Sequence, residues 1–307
     1  MLYKVGSRGE VVKDIQEVVG VQADGIFGRF TETAVKRWQS KNGLKDDGLV
    51  GRKTLGKMEL LDTDHTNLNT SPENSSGKYQ KEKYTTKNGL EITEFFMPPD
   101  EYKKGPIKAE WMFLHHTAGW HNPYNCIKQW DADSNGPIST EFVMGGPSVK
   151  GNDNSFDGEV VQAFPSNNWG YHLGKNGSQK MHINSIGMEV CNFGYVVDGK
   201  TYAGTRVEES QIVKLKKPFR GHSHWHRYSN KQIENLKRWM EFIGERSNID
   251  IRSGLPSLVK QKGVDAFEFN RDAYFGKVKG VWTHTNIRKD KFDMFPQQEL
   301  LDMLVSL

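Results

Sequence analysis

In WMFLHHTAGW, residues 111–120, two histidines stand side by side at the end of an apolar run. A neutral imidazole binds zinc through a bare nitrogen and can move protons near pH 7, so such a doublet is a first candidate for chemistry. If the run is a strand, adjacent side chains point to opposite faces, and His115 and His116 cannot both face one cleft. A second candidate is HSHWH, where His222, His224 and His226 share one face when extended. No carboxylate accompanies them, and Arg220, Arg227 and Tyr228 flank the stretch, which favours surface or groove histidines over ligands. The third is His284, ending the short apolar run GVW, with Lys291 and Asp293 after it. His115, His284 and Asp293 together would supply two imidazoles and one carboxylate, a set that leaves a fourth zinc position open. Spacing alone leaves open whether these three are ligands or separately buried polar residues. HExxH is absent, which excludes a helix-borne metalloprotease site.

Residues this far apart meet only if strands and helices bring them together. WMFLHH reads as a buried strand, ISTEFVMGG and SIGMEVCNFG as two more, and FDGEVVQAF as a hairpin strand opened by Asp-Gly. SNKQIENLKRWMEFIG carries a Ser229–Gln232 capping box and an apolar face of Ile233, Leu236, Met240 and Ile243. PQQELLDMLVSL reads as a closing helix. The expected fold over 90–307 is α/β, a mixed central sheet flanked by helices.

Ahead of it, DGIFGRFT at 24–31 returns as DGLVGRKT at 47–54. Each unit reads as a turn and a helix start, with Thr available as a cap. Ser7 with Glu10 forms a capping-box pattern before Val11, Val12, Ile15, Val18 and Val19. A small all-α three-helix domain over 1–60 follows. Residues 61–89, rich in Asn, Ser, Thr and Lys and without periodicity, read as a linker.

The chain has 307 residues, 36% hydrophobic and 26% charged, with a net charge of +4. Two domains are expected at this length, with no membrane span. Without a long Lys/Arg run, nucleic acid is not an expected partner. Cys126 and Cys191 are too few for a disulfide framework and read as reduced, partly buried thiols.

The pattern VGSRGEVVKDIQ, continued by ADGIFGRFTETAVKRWQSKNGLKDDGLVGRKTL, closely resembles the peptidoglycan-binding domain attached to cell-wall hydrolases. That resemblance implies a wall-anchoring module without catalysis of its own. In the larger domain FLHHTAGW, ISTEFVMGG, DGEVVQAFPSNNWGYHLG, NSIGMEV and THTNIRKDKFD occur in order. They resemble the motifs of the zinc-dependent N-acetylmuramoyl-L-alanine amidases, the family that includes phage lysozyme-amidases and resembles animal peptidoglycan recognition proteins. The likeness spans most of 107–296, with an apparent insertion around 248–279. The whole looks like a modular phage endolysin or a bacterial autolysin.

Carried over residue by residue, the resemblance implies Zn2+ held by His115, His284 and Asp293, with His116 packed or hydrogen-bonded behind the sheet. It assigns Glu189 to acid/base work and Lys291 to the developing oxyanion. Glu141, in STEF where many members have Tyr or His, is a candidate to share the acid/base work or to orient a ligand. His172 and Trp169 are the candidates for substrate contact, His172 equally for a structural hydrogen-bonding role, and Trp225 is a further aromatic that could stack on sugars. DMFP replaces the usual Asp-Pro-Gly after the third ligand. The implied reaction is hydrolysis of the amide between N-acetylmuramic acid and L-alanine. Zinc makes this feasible by lowering the pKa of water to about 7 and polarising the carbonyl. The rival expectations are a recognition protein that binds without cutting and a wall peptidase that cuts within the stem peptide. The remaining expectations are bacterial peptidoglycan as partner, a monomer, and synthesis in the cytoplasm without a signal peptide, since MLYKVGSRGE contains no apolar h-region.

Overall fold

In a computed structural model of the chain, residues 2–58, 60, 79, 81–132, 136–174 and 177–307 are described. They fall into two compact units.

The smaller unit holds three helices, Glu10–Val19, Arg29–Lys41 and Arg52–Lys57, and a short ladder pairs Leu2–Tyr3 with Val50–Gly51. Val12, Ile15, Phe27, Val35, Val50 and Leu55 form its core. The repeat seen in sequence is repeated in the hydrogen bonding. The buried Gln16 amide donates to Asp24 Oδ1, the Ile26 carbonyl and Thr31 Oγ1, while its Oε1 accepts from Gly25 N–H. Gln39 does the same with Asp47, Leu49, Thr54 and Gly48. Thr31 and Thr54 therefore receive glutamine bonds and do not cap. Nor does the Ser7–Glu10 box form. Gly9, at φ 120°, is the N-cap, Ser7 Oγ accepts from Lys4 N–H, and Glu10 pairs with Lys13.

The larger unit is built on a seven-stranded mixed sheet in the order Gly280–Thr283, Trp111–His116, Ser185–Val190, Phe142–Met144, Val160–Gln162, Glu91–Phe95, Lys81–Thr85. The first four strands are parallel and the fifth is antiparallel to the fourth. One face packs Val143, Val161 and Phe95 on Tyr124 and Ile127 of the helix Pro123–Ala132. On the other, Phe142 meets Trp239 of the helix Asn230–Ser247. That long helix has the expected Ser229–Gln232 capping box, and Asn248 ends it in the left-handed region.

One expectation changes here. Lys81–Thr85 is a strand, paired with Glu91–Phe95, so ordered structure begins well inside the stretch read as a linker. It is an edge strand whose Lys81, Glu82 and Lys83 are exposed, so its pattern shows no apolar alternation. The rest of that stretch, 61–78 and residue 80, lies outside the described residues. The 248–279 insertion is ordered too. It contains the helices Leu255–Lys262 and Arg271–Tyr274 and lies along the edge strand, with Val281 N–H donating to Ser253 and Gly254 bridged to Val281. A covered edge offers no template for foreign strands. Among the described residues no helix is long and apolar enough to cross a membrane.

Candidate metal centre

Trp111–His116 lies between two parallel neighbours that come from distant parts of the chain, Ser185–Val190 on one side and Gly280–Thr283 on the other. Sheets of this kind leave a crevice at the carboxyl ends of the strands where the chain order diverges. His115 stands at that end, in register with Glu189, and His284 follows the last residue of the Gly280–Thr283 strand. Asp293 comes in on the following loop, where Thr285 N–H donates to its carbonyl.

His115 Nδ1 is 3.2 Å from His284 Nδ1 and 3.3 Å from Asp293 Oδ2, and His284 Nδ1 is 3.1 Å from the same oxygen. All three residues are buried, and they are the one group of potential metal ligands of this kind among the described residues. Bonds of about 2.0–2.1 Å around a tetrahedral zinc place neighbouring donors about 3.3 Å apart. The triangle has the spacing of three donors around such an ion. Burial pushes His115 down to about 4 against the upward pull of Asp293, with His284 and Lys291 adding to the lowering. Its ring is thus neutral and competent as a ligand at pH 7. Burial pushes Asp293 up, but the adjacent His284 and His115 outweigh it and hold the carboxylate well below its usual range.

The loop from His284 to Asp293 is braced from two sides. Thr283 and Asn286 form a capping box, and the Asn286 amide donates to the carbonyls of Ala266 and Glu268 in the insertion. Arg220, on the hairpin of strands Ile212–Phe219 and His222–His226, donates to the carbonyls of Thr285 and Lys289. These anchors were not evident in the sequence, because a side chain that bonds to backbone has no characteristic spacing.

His116 points to the other side, as the alternation requires, with Nδ1 2.8 Å from the Tyr228 hydroxyl; burial lowers its pKa to about 4. Glu189 lies beside His115 on the same face and is half-buried. Lys291 is close enough for its charge to act on His115 and His116.

The readings of Glu141, Trp169 and Trp225 need correction. Glu141 does not join the group. It precedes the strand Phe142–Met144, at the end remote from the crevice, and its buried carboxylate accepts from Arg246, Gln162 and Ser166. Burial raises its pKa, and Arg246 works against that rise. It is a structural ion pair. His172 contacts His115 itself: Nδ1 is 3.0 Å from His115 Nε2, and the rings meet edge to face. Trp169 is buried to 9% exposure against Tyr171, and Trp225 is fully buried, so neither offers a face to a sugar. HSHWH does not gather its histidines: His222 stacks on Tyr195, His224 is exposed, and buried His226 accepts from Phe193 N–H. Ser185 was overlooked. Its signal is parity, two residues before Gly187 and four before Glu189 on one strand, which sets all three on one face.

Residues 9–58 match the family profile described as a peptidoglycan binding domain. A zinc D-Ala-D-Ala carboxypeptidase of Streptomyces albus G is 41% identical over 73 residues, and the match spans 21% of this chain and 29% of that protein's length. Among solved structures, the catalytic domain of XlyA aligns at 14% identity and a TM-score of 0.37, covering 70% of this chain and 95% of that one. A mutant endolysin from Bacillus subtilis aligns at 17% identity and a TM-score of 0.33, covering 53% and 80%. The N-acetylmuramyl-L-alanine amidase AmiD from E. coli aligns at 16% identity and a TM-score of 0.29, covering 48% and 47%.

Proposed function

We propose that this protein is a zinc-dependent peptidoglycan hydrolase that cleaves the amide between N-acetylmuramic acid and the L-alanine of the stem peptide, with its N-terminal module bound to the wall. The observation that carries the reading is the triangle of His115 Nδ1, His284 Nδ1 and Asp293 Oδ2, spaced as three donors around a tetrahedral metal would be. The peptidoglycan binding domain match supports the substrate class. The choice of bond rests on the ordered amidase motifs that run from FLHHTAGW to THTNIRKDKFD.

When bound, zinc would supply the Lewis acidity that an unreactive amide needs. Glu189, level with His115, accepts the proton of the attacking water and passes it to the departing alanine nitrogen. Lys291 supplies fixed positive charge near the oxygen that becomes anionic; in a water-poor cleft such a charge is worth a few kcal/mol.

Incubation of the purified protein with peptidoglycan, with and without a chelator, tests this by mass spectrometry of the new ends. Intact glycan with free lactyl carboxyls and free L-alanine amines, lost on chelation, is the expected result. Cuts within the stem peptide would make it a wall peptidase. Binding without products would make it a recognition protein.

A further inference from the structure

We infer that Ser185 and His172 are positioning residues that fix the tautomer of His115, so that its metal-facing nitrogen carries a lone pair and no proton. The inference rests on the metal-site reading above and adds what sets the donor atom. Ser185 Oγ is 2.5 Å from the Met181 carbonyl and 2.8 Å from His172 Nε2. A carbonyl only accepts, and a hydroxyl has one proton, so Ser185 donates to Met181. Its oxygen must then accept, and His172 carries its proton on Nε2. A neutral ring holds one proton, which leaves His172 Nδ1 as an acceptor. That nitrogen is 3.0 Å from His115 Nε2, so His115 is protonated on Nε2 and bare on Nδ1. Nδ1 is the nitrogen that faces His284 and Asp293. Proton positions thus run in one sense from a main-chain carbonyl to the metal-facing nitrogen.

The His172 ring is held from behind. Its backbone N–H donates to His182 Nδ1, while His182 Nε2 lies 3.2 Å from the Gly174 carbonyl. The same accounting puts the His182 proton on Nε2. Gly187 leaves the space: a Cβ there would come within 3.1 Å of His172 Nδ1 and 2.7 Å of Thr140 Cγ2. Among the described residues His284 has no such relay, its Nε2 being buried there without a hydrogen-bond partner.

The first test needs no metal. Two-bond proton–nitrogen spectra of the 15N-histidine-labelled, metal-free protein should show both His115 and His172 as Nε2–H tautomers. A His172 ring protonated on Nδ1 would overturn the inference. The second test measures zinc affinity by competition with a chromophoric chelator. Loss of a hydrogen bond behind a ligand typically costs about 10- to 100-fold in metal affinity. Ser185→Ala and His172→Phe should weaken zinc by that order, and Ser185→Thr, which keeps the hydroxyl, should restore it. An unchanged zinc affinity in Ser185→Ala, alongside a lower melting temperature, would reduce Ser185 to a packing role and sink the idea. Should the tautomers be as stated and the parent bind no zinc, the metal-site reading fails while the relay stands.

Discussion

Asp293 is 8% exposed and lies against two imidazoles, and a buried carboxylate persists only with opposite charge or donors around it. Asp293→Asn keeps the shape and removes the charge, so it should strip zinc from the protein while changing the fold little. Metal content after dialysis checks this, and a full complement of zinc would exclude Asp293 as a ligand. The neighbour of His115 makes the opposite prediction. His116→Asn loses the bond to Tyr228, should cost about 1–3 kcal/mol, and should still retain zinc. Thermal melts and metal content on one preparation separate the two effects. At this scale the sequence was informative where backbone geometry dictates the outcome: alternation sent the two histidines to opposite faces. It was silent where partners come from afar. Glu141 looked available until Arg246, more than a hundred residues away, claimed its carboxylate.

Gly187 shows how a strand can impose a residue type. An alanine methyl there would press on Thr140 and on His172 Nδ1, so Gly187→Ala should weaken zinc binding without touching a ligand. Calorimetric titration of the variant with zinc checks it, and parental affinity would mean that the His172 side gives way freely. In the smaller unit each buried glutamine ties one helix to the loop after it and to the next helix. Gln16→Ala and Gln39→Ala both leave a buried glycine N–H without its acceptor, at about 1–3 kcal/mol each. Calorimetry of the full chain should show both lowering one transition by similar amounts; a large effect from one alone would break the equivalence of the repeats. The repeat was visible in DGIFGRFT and DGLVGRKT, but its purpose was not. Threonine was read as a cap because capping is local, whereas the bonds it accepts come from fifteen residues earlier. Likewise the long helix was legible from its cap and apolar face, while the edge strand Lys81–Thr85 was hidden by its exposed side chains.

Each unit carries a core of its own, so each can hold its fold when the other is removed. A chain lacking 1–76 should hydrolyse soluble muropeptides at near the parental rate and sediment poorly with insoluble wall. Equal sedimentation would deny the smaller unit its anchoring role. Burial sets a pH limit on the larger unit. His115 and His116 are pushed down to about 4 and His226 to about 3, against about 6.5 when unfolded. Between those values the unfolded chain binds more protons, so the stability is complete above pH 6.5 and drains away as pH falls toward 4. Melting temperatures of metal-free protein should drop steadily from pH 7 to pH 5; a flat profile would mean that these rings charge without opening the core. The ligand triangle has one more consequence. His115 and Asp293 are 178 residues apart along the chain, so a single ion bound between them would act as a clasp across most of the larger unit. Once free zinc exceeds its Kd, every tenfold rise adds about 1.4 kcal/mol to the folded state. The surroundings would then regulate how long the protein survives as well as whether it cuts.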